Sequence, residues 1–179
     1  REIQDKLVVP KNQLIELTKG SLTLGNLIVE PFAVSHDAAD PIGINVFSGN
    51  DKATVVTDTG IISDDILHRL DDSTLLVLEA NYDPHMLRFG PYQPFLKQRV
   101  ASDEGHLSNE MAAQALLMMK RPDFMQVILA HRSENNNNAV LVTQTIGKML
   151  VDGGVRIGPE MKLQHGQPNE IVSMQSVKR

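Results

Sequence analysis

Five residues able to do metal or proton chemistry, His36, Asp58, Glu79, His106 and His131, each fall just past the end of an expected β-strand or in the loop leading away from one. In layered α/β proteins such loops converge on one edge of the sheet, and ligands and catalytic groups collect there. Neutral imidazole and carboxylate together suit zinc, manganese or iron, and a carboxylate can bridge two such ions. A pair of metals about 3.5–4 Å apart activates a water and stabilises the attacking and leaving oxygens at a phosphorus or carbonyl centre.

Each of the five also has a plainer reading. His36, between Ser35 and Asp37, equally suits a loop histidine bonded to its own acidic turn, and Asp58, before Thr59-Gly60, an ordinary turn residue at a strand end. Glu79 is harder to explain away, because it ends the run Leu75-Leu76-Val77-Leu78 and a carboxylate on a buried strand needs a partner. His106 sits at a helix entrance, where backbone N–H groups favour anions, or else in a surface loop. His131 directly follows a buried strand, which points to a ligand or a satisfied core histidine. His68, His85 and His165 lack this setting and read as a helix surface, a loop and a mobile tail.

The elements that must position these groups follow from the pattern. Gly25-Asn26 between short apolar stretches predicts a β-hairpin over Ser21 to Ser35, and strands at Ile42 to Phe47 and Ala53 to Thr57 are joined by the turn Ser48-Gly49-Asn50-Asp51. Ser63 begins a helix reaching Leu70, and Thr74 to Leu78 is an apolar run typical of a strand buried on both faces. A Pro-punctuated region, Asp83 to Pro94, precedes a helix at Phe95 to Val100. Ser108 caps a helix over Asn109 to Lys120, Val127 to Ala130 is another buried strand, and Ala139 to Val151 is the last long helix, ended by Gly153-Gly154. Beyond it the chain reads as a polar tail, residues 155–179, with Ile171 to Met174 as its one candidate strand. Hairpins followed by strand–helix alternation predict an α/β layered fold with a mixed sheet.

The 179 residues suffice for one domain with a sizeable core. The absence of cysteine excludes a disulfide scaffold, a thiol nucleophile and a thiolate zinc finger. A net charge of -5 argues against a surface built for non-specific nucleic-acid binding, although Arg88, Lys97, Arg99 and Arg132 lie around the expected site. With two Tyr, five Phe and no Trp there is no evident platform for base stacking. No apolar run approaches the roughly 20 residues of a membrane helix.

Seven motifs occur in order: His36-Asp37-Ala38-Ala39-Asp40-Pro41, Thr57-Asp58-Thr59-Gly60, Leu78-Glu79-Ala80-Asn81, Gly90-Pro91-Tyr92, Leu96-Lys97-Gln98-Arg99, Gly105-His106-Leu107-Ser108-Asn109-Glu110 and Ala130-His131-Arg132-Ser133-Glu134-Asn135-Asn136. From about Gly25 to Val151 the chain resembles the carboxyl-terminal two-thirds of metallo-β-lactamase-fold nucleases of the YycJ/WalJ group, related to tRNase Z and ribonuclease J. The resemblance implies an α/β protein, a four-layer αβ/βα sandwich incomplete at its amino end, that hydrolyses phosphodiester bonds as a 5'-to-3' DNA exonuclease. Two divalent ions, zinc, manganese or iron, would hold the attacking hydroxide. By position, His36 matches a ligand of one metal, Asp58 the bridging aspartate and His131 a ligand of the second. His106 matches a histidine beside the scissile phosphate, and Glu79 the group that orients it. Ser108, Asn109, Asn135 and Asn136 match candidate phosphate contacts.

Two departures accompany the resemblance. The family's leading His-x-His-x-Asp-His motif has no match here, and the chain opens Arg1-Glu2-Ile3-Gln4 without an initiator Met. The expectation is a chain that begins inside a longer protein whose preceding segment carries the other ligands. Tyr82 stands where relatives place a histidine. Nucleic acid, DNA first, is the expected partner, with a homodimer open beside a monomer, no membrane, and a cytoplasmic location. A thioester or lactone hydrolase on the same fold, or a non-catalytic scaffold, are the alternatives.

Overall fold

The computed structural model describes residues 10, 15, 17, 20–167 and 170–173, so the opening Arg1 to Gln4 lies outside the described residues. Its sheet has seven strands in sequence order: β1 (Leu22–Leu24), β2 (Leu27–Ala33), β3 (Ile42–Ser48), β4 (Asp51–Val56), β5 (Leu75–Glu79), β6 (Met125–Ala130) and β7 (Met161–His165). The first four pair antiparallel, β1 with β2 and β3 with β4 through tight turns in which Gly25 and Gly49 supply positive φ of 62° and 59°, and β2 with β3 through the longer loop 34–41. The last four pair parallel, with helices in the crossovers. The expected mixed sheet is therefore present. The second sheet of a four-layer sandwich is not among the described residues.

Strand direction is what builds the site. β2 and β4 are both antiparallel to β3, and β5 and β6 run parallel to β4, so the carboxyl ends of all four emerge at one edge of the sheet.

The helices are α1 (Asp64–Leu70), α2 (Pro84–Phe89), α3 (Pro94–Val100), α4 (Asn109–Met118) and α5 (Ala139–Asp152). Ser63 and Ser108 act as the expected caps, their hydroxyls accepting from Ile66 N and Met111 N. Asn138 does the same for α5 through Leu141 N. Helix α2 lies where only a Pro-punctuated region is expected. Its start was written in the sequence, since the Asp83 carboxylate accepts from Met86 N and Pro84 takes a first-turn position where no N–H is needed. His85 thus stands on this helix, its ring tilted against that of Phe89, rather than in a loop.

The core joins one face of the sheet to α1, α4 and α5: Val56, Leu76, Leu78, Val127 and Leu129 pack with Ile66, Leu70, Leu116, Ile146 and Leu150. The other face differs from expectation. Ile44, Val55, Val77 and Ile128 are register partners across it; Val55 is 39% exposed and the other three are half-buried. The apolar run in β5 is consequently fully buried on one face only among the described residues. The polar tail also needs correction, because Met161 to His165 forms β7 parallel to β6, with Met161 fully buried, whereas Ile171 to Ser173 forms no strand and Met174 lies outside the described residues. His165 accordingly belongs to the sheet, its Nε2 2.8 Å from the Thr143 hydroxyl.

Candidate metal centre

His36 follows β2, Asp58 follows β4, Glu79 ends β5 and His131 follows β6, so the four arrive at the shared edge from adjacent strands. His106 comes from the loop between α3 and α4. That loop fits closely under the others. A Cβ on Gly105 would stand 2.3 Å from the carbonyl oxygens of Arg99 and Val100, and one on Gly60 2.3 Å from that of Ser102. Only glycine lets these backbones approach. Three described non-glycine residues have positive φ, and two of them are in the site, Asp58 at 56° and His131 at 51°. Both residue types enter this region more readily than most, yet at a cost that the surrounding contacts must hold.

Each imidazole has one nitrogen tied off. His36 Nδ1 lies 3.0 Å from the carbonyl of Gly105, and since a carbonyl only accepts, Nδ1 carries the proton. Nδ1 of His106 and of His131 lie 2.7 Å and 2.8 Å from the same oxygen, Oε1 of Glu79. Glu79 Oε2 accepts from Thr59 N at 3.2 Å and Leu107 N at 3.4 Å. The carboxylate is fully buried and bonded at both oxygens. Burial alone would raise its pKa, but the bonds from His106 and His131 outweigh that and hold it below the ordinary carboxylate range. Reciprocally, the bond to Glu79 raises the pKa of His131 against the opposing effect of burial.

With Nδ1 committed, each Nε2 is left for another partner, that of His36 standing 3.5 Å from Oδ1 of the neighbouring Asp37. Asp58 Oδ1 lies 3.7 Å from His36 Nε2 and 3.6 Å from His131 Nε2. These separations are too long for hydrogen bonds. They fit two donors on one ion, since tetrahedral bonds of about 2.0–2.2 Å place donor atoms about 3.4 Å apart. Asp58 Oδ1 thus lies within 4 Å of an imidazole Nε2 from each of two loops. His106 lies between the other two rings, 5.1 Å from that of His36 and 5.2 Å from that of His131. Ligand atoms of His36, Asp58 and His106 also lie within 4.8 Å of one another, as do those of Glu79, His106 and His131. The donor set of imidazole nitrogen and carboxylate oxygen fits zinc, manganese or iron.

The sequence from residue 2 to residue 131 matches the family model described as the beta-lactamase superfamily domain. The chain belongs to the beta-lactamase superfamily. It is 33% identical over 170 residues to exodeoxyribonuclease YycJ of Bacillus anthracis, covering 94% of this chain and 64% of that protein. It is also 33% identical over 147 residues to exodeoxyribonuclease WalJ of Streptococcus pneumoniae serotype 2, covering 82% and 55%. The chain spans less than two thirds of the length of these curated relatives. Among solved structures it is similar to the metallo-β-lactamase fold protein YhfI of Bacillus subtilis, with a TM-score of 0.58 and 12% identity over 83% of this chain and 50% of that one. Zn2+-bound PqqB of Methylobacterium extorquens gives a TM-score of 0.53 at 15% identity, over 82% and 48%. At these identities the likeness is one of fold, and the fold is the metallo-β-lactamase fold.

The remaining candidates of this beta-lactamase superfamily chain divide by burial. Asn135 is exposed and lines a cleft with His106 and His131. Ser108 is buried, its hydroxyl spent on the cap of α4. Asn109 is fully buried and exchanges hydrogen bonds with Asn137, whose amide also donates to the Ala80 carbonyl. Asn136 is fully buried beside Gly90 and Ser133. Tyr82, the departure from the family pattern, is 6% exposed, its pKa raised by burial and by the charges of Glu110 and Glu79.

Sequence reasoning missed three supports. Asn81 donates to the His131 carbonyl at 2.7 Å and so fixes the strained residue. Thr59 Oγ1 accepts from Ser35 N and donates to the Ile61 carbonyl, joining the loops of His36 and Asp58. Arg99 grips both oxygens of Asp37 and holds that carboxyl below its usual range, anchoring the His36 loop to α3. Asn81, Thr59 and Arg99 lie inside recognisable motifs, but only the folded chain shows which backbone each one reaches.

Proposed function

We propose that this chain forms part of a dinuclear metal centre in a phosphodiester hydrolase, and that the whole protein is a 5'-to-3' DNA exonuclease. The observation that carries the reading is Asp58 Oδ1 within 4 Å of the Nε2 atoms of both His36 and His131, each of which has its Nδ1 proton committed elsewhere. His36 would hold one ion, His131 the other, and Asp58 both. The family resemblance assigns the other ligands to a His-x-His-x-Asp-His motif that this sequence does not contain. When bound, the ions supply Lewis-acid polarisation of the phosphoryl group and an activated water.

The chain's own residues provide orientation and proton transfer. Glu79 fixes the tautomers of His106 and His131, so that both present Nε2 to the site. To act as general acid His106 must first take up a second proton at Nε2; it then passes that proton to the departing sugar oxygen and keeps the one on Nδ1, hydrogen-bonded to Glu79. Asn135, in the cleft, contacts the phosphate. Ser108, Asn109 and Asn136 act at one remove, by holding the loops that carry His106 and His131. The 33% identity to two exodeoxyribonucleases favours DNA ends as the substrate over thioesters or lactones.

In the full protein, Asp58→Asn is expected to abolish hydrolysis of linear DNA and to remove bound metal, with the fold intact by circular dichroism. Retained nuclease activity would sink the reading.

A further inference from the structure

From Pro84 to Ser102 the sequence holds no carboxylate, although the chain carries 22 acids and a net charge of -5. The fixed charges of this stretch are Arg88, Lys97 and Arg99, and it folds as α2, α3 and the turn between them. Arg99 is neutralised by both oxygens of Asp37. Neither Arg88 nor Lys97 has a carboxylate partner among the described residues. Lys97 gives one proton to the Arg88 carbonyl and keeps two for other acceptors. Asp83, the acid that precedes the stretch, is held as the cap of α2.

The same stretch carries Phe89 and Phe95, which are 66% and 70% exposed. Composition offers no evident stacking platform, but the fold sets these two rings at either end of the turn that joins α2 to α3. The Arg88 guanidinium lies 5.3 Å from the centroid of the Phe89 ring. Between the two phenylalanines Tyr92 turns inward, as does Leu96 just after them; both pack on the buried cluster of Tyr82, Leu87 and Val100 and line the cleft that His106 and His131 also line. The surface therefore borders the metal edge.

A protein partner would match the rings alone, whereas the missing acids and the unpaired cations match a polyanion. Bases stacked within a duplex cover one another's faces, and those of an unpaired strand are free to stack on an aromatic ring. We propose that the α2–α3 surface binds single-stranded DNA, with bases on Phe89 and Phe95 and backbone phosphates on Arg88 and Lys97, so that an unpaired strand leads up to the metal centre. The inference deepens the nuclease reading and rests on it for the role of the metal edge, but the surface is tested without turnover.

The test is a fluorescence anisotropy titration of the full protein, in excess chelator so that no DNA is cut. The probes are labelled oligo-dT of about 12 nucleotides, within the usual span of single-strand sites, and a blunt duplex of the same length. The single strand should bind at least about tenfold more tightly than the duplex, the difference coming from stacking. Phe89→Ala and Phe95→Ala should each weaken the single strand about tenfold and leave the duplex and the Tm unchanged. Phe95→Leu, apolar without an aromatic face, must show the same loss, and Phe95→Trp must keep the affinity. Arg88→Gln should weaken both DNAs and flatten the fall of log affinity with log salt by about 0.7 for the single strand. Equal affinity for strand and duplex, unaffected phenylalanine variants or an unchanged salt slope overturns the proposal. So does a loss of self-association in Phe89→Ala and Phe95→Ala with DNA binding intact, which would make the surface a protein contact. DNA hydrolysis by the metal-loaded full protein separates the two readings: an active nuclease whose binding ignores strandedness removes this surface alone, and selective single-strand binding without hydrolysis removes the nuclease reading alone.

Discussion

At the scale of single residues, Glu79 governs more geometry than any ligand. One oxygen orients two imidazoles from different loops, and the other pins the backbone at Thr59 and Leu107. Glu79→Gln keeps the shape but turns one acceptor into a donor, so either both imidazoles or both backbone N–H groups lose their acceptor. Metal affinity should fall about 10–100-fold, the usual cost of a lost orienting partner, as read by competition with a chelating dye. His131 gives the site a pH dependence of definite sign. Its raised pKa means that the bond to Glu79 stabilises the metal-free chain fully below the ordinary imidazole value of 6.5, and this contribution is lost as pH rises through the raised value. A metal needs the neutral ring, so affinity must move the opposite way and climb through and above that range. Metal titrations from pH 6 to pH 9 check this. Affinity that levels off below the ordinary imidazole range would contradict it.

Among the elements, four strand ends and one inter-helix loop share the work, and the loop is the tightest part. Gly105 brings the His106 loop against the last turn of α3 while its own carbonyl orients His36. Gly105→Ala forces these backbones apart and should destabilise the chain by about 1–3 kcal/mol, as overpacking does, while loosening His36 and His106 together. Thermal melts of the metal-free and metal-loaded forms would show it as a lowered Tm and a smaller metal-induced rise. Strand ends of this kind are legible in sequence. The residues after Ala33, Val56, Leu78 and Ala130 carry the acid and imidazole groups, and the hairpin turn and serine caps announce themselves by residue type. What was hidden depended on packing. β7 has only Met161 and Leu163 to mark it, and α2 is short and begins and ends among prolines and glycines that also suit a loop. The double role of Glu79 was hidden for the same reason, because His131 lies 52 residues away and reaches it only through the β5–β6 pairing.

Over the whole molecule, the sheet is lopsided. Parallel strands ordinarily have both faces covered, but here Ile44, Val55, Val77 and Ile128 form an apolar row without full cover among the described residues. A surface of this kind makes a chain bind to itself or to hydrophobic dyes. The chain alone is expected to self-associate at tens of micromolar, and Val55→Lys should reduce that association with little change in Tm, as sedimentation velocity and a thermal melt would show. A monodisperse monomer that binds no dye would contradict the expectation. The net charge of -5 is a whole-molecule quantity too, and in the proposed reaction two divalent cations would offset most of it at the edge where the phosphate would approach.

The left-handed backbone at Asp58 and His131 has a consequence for inheritance. Glycine occupies that conformation without steric cost, so at these two positions a stabler backbone and a working site ask for different codons. While the reaction matters to the cell, aspartate and histidine persist against that pull. In a gene copy released from service, only the bond from His131 to Glu79 opposes it, and that at one of the two positions. Glycine at position 58 or 131 would then be an early mark of a lineage that has kept the shape and given up the chemistry.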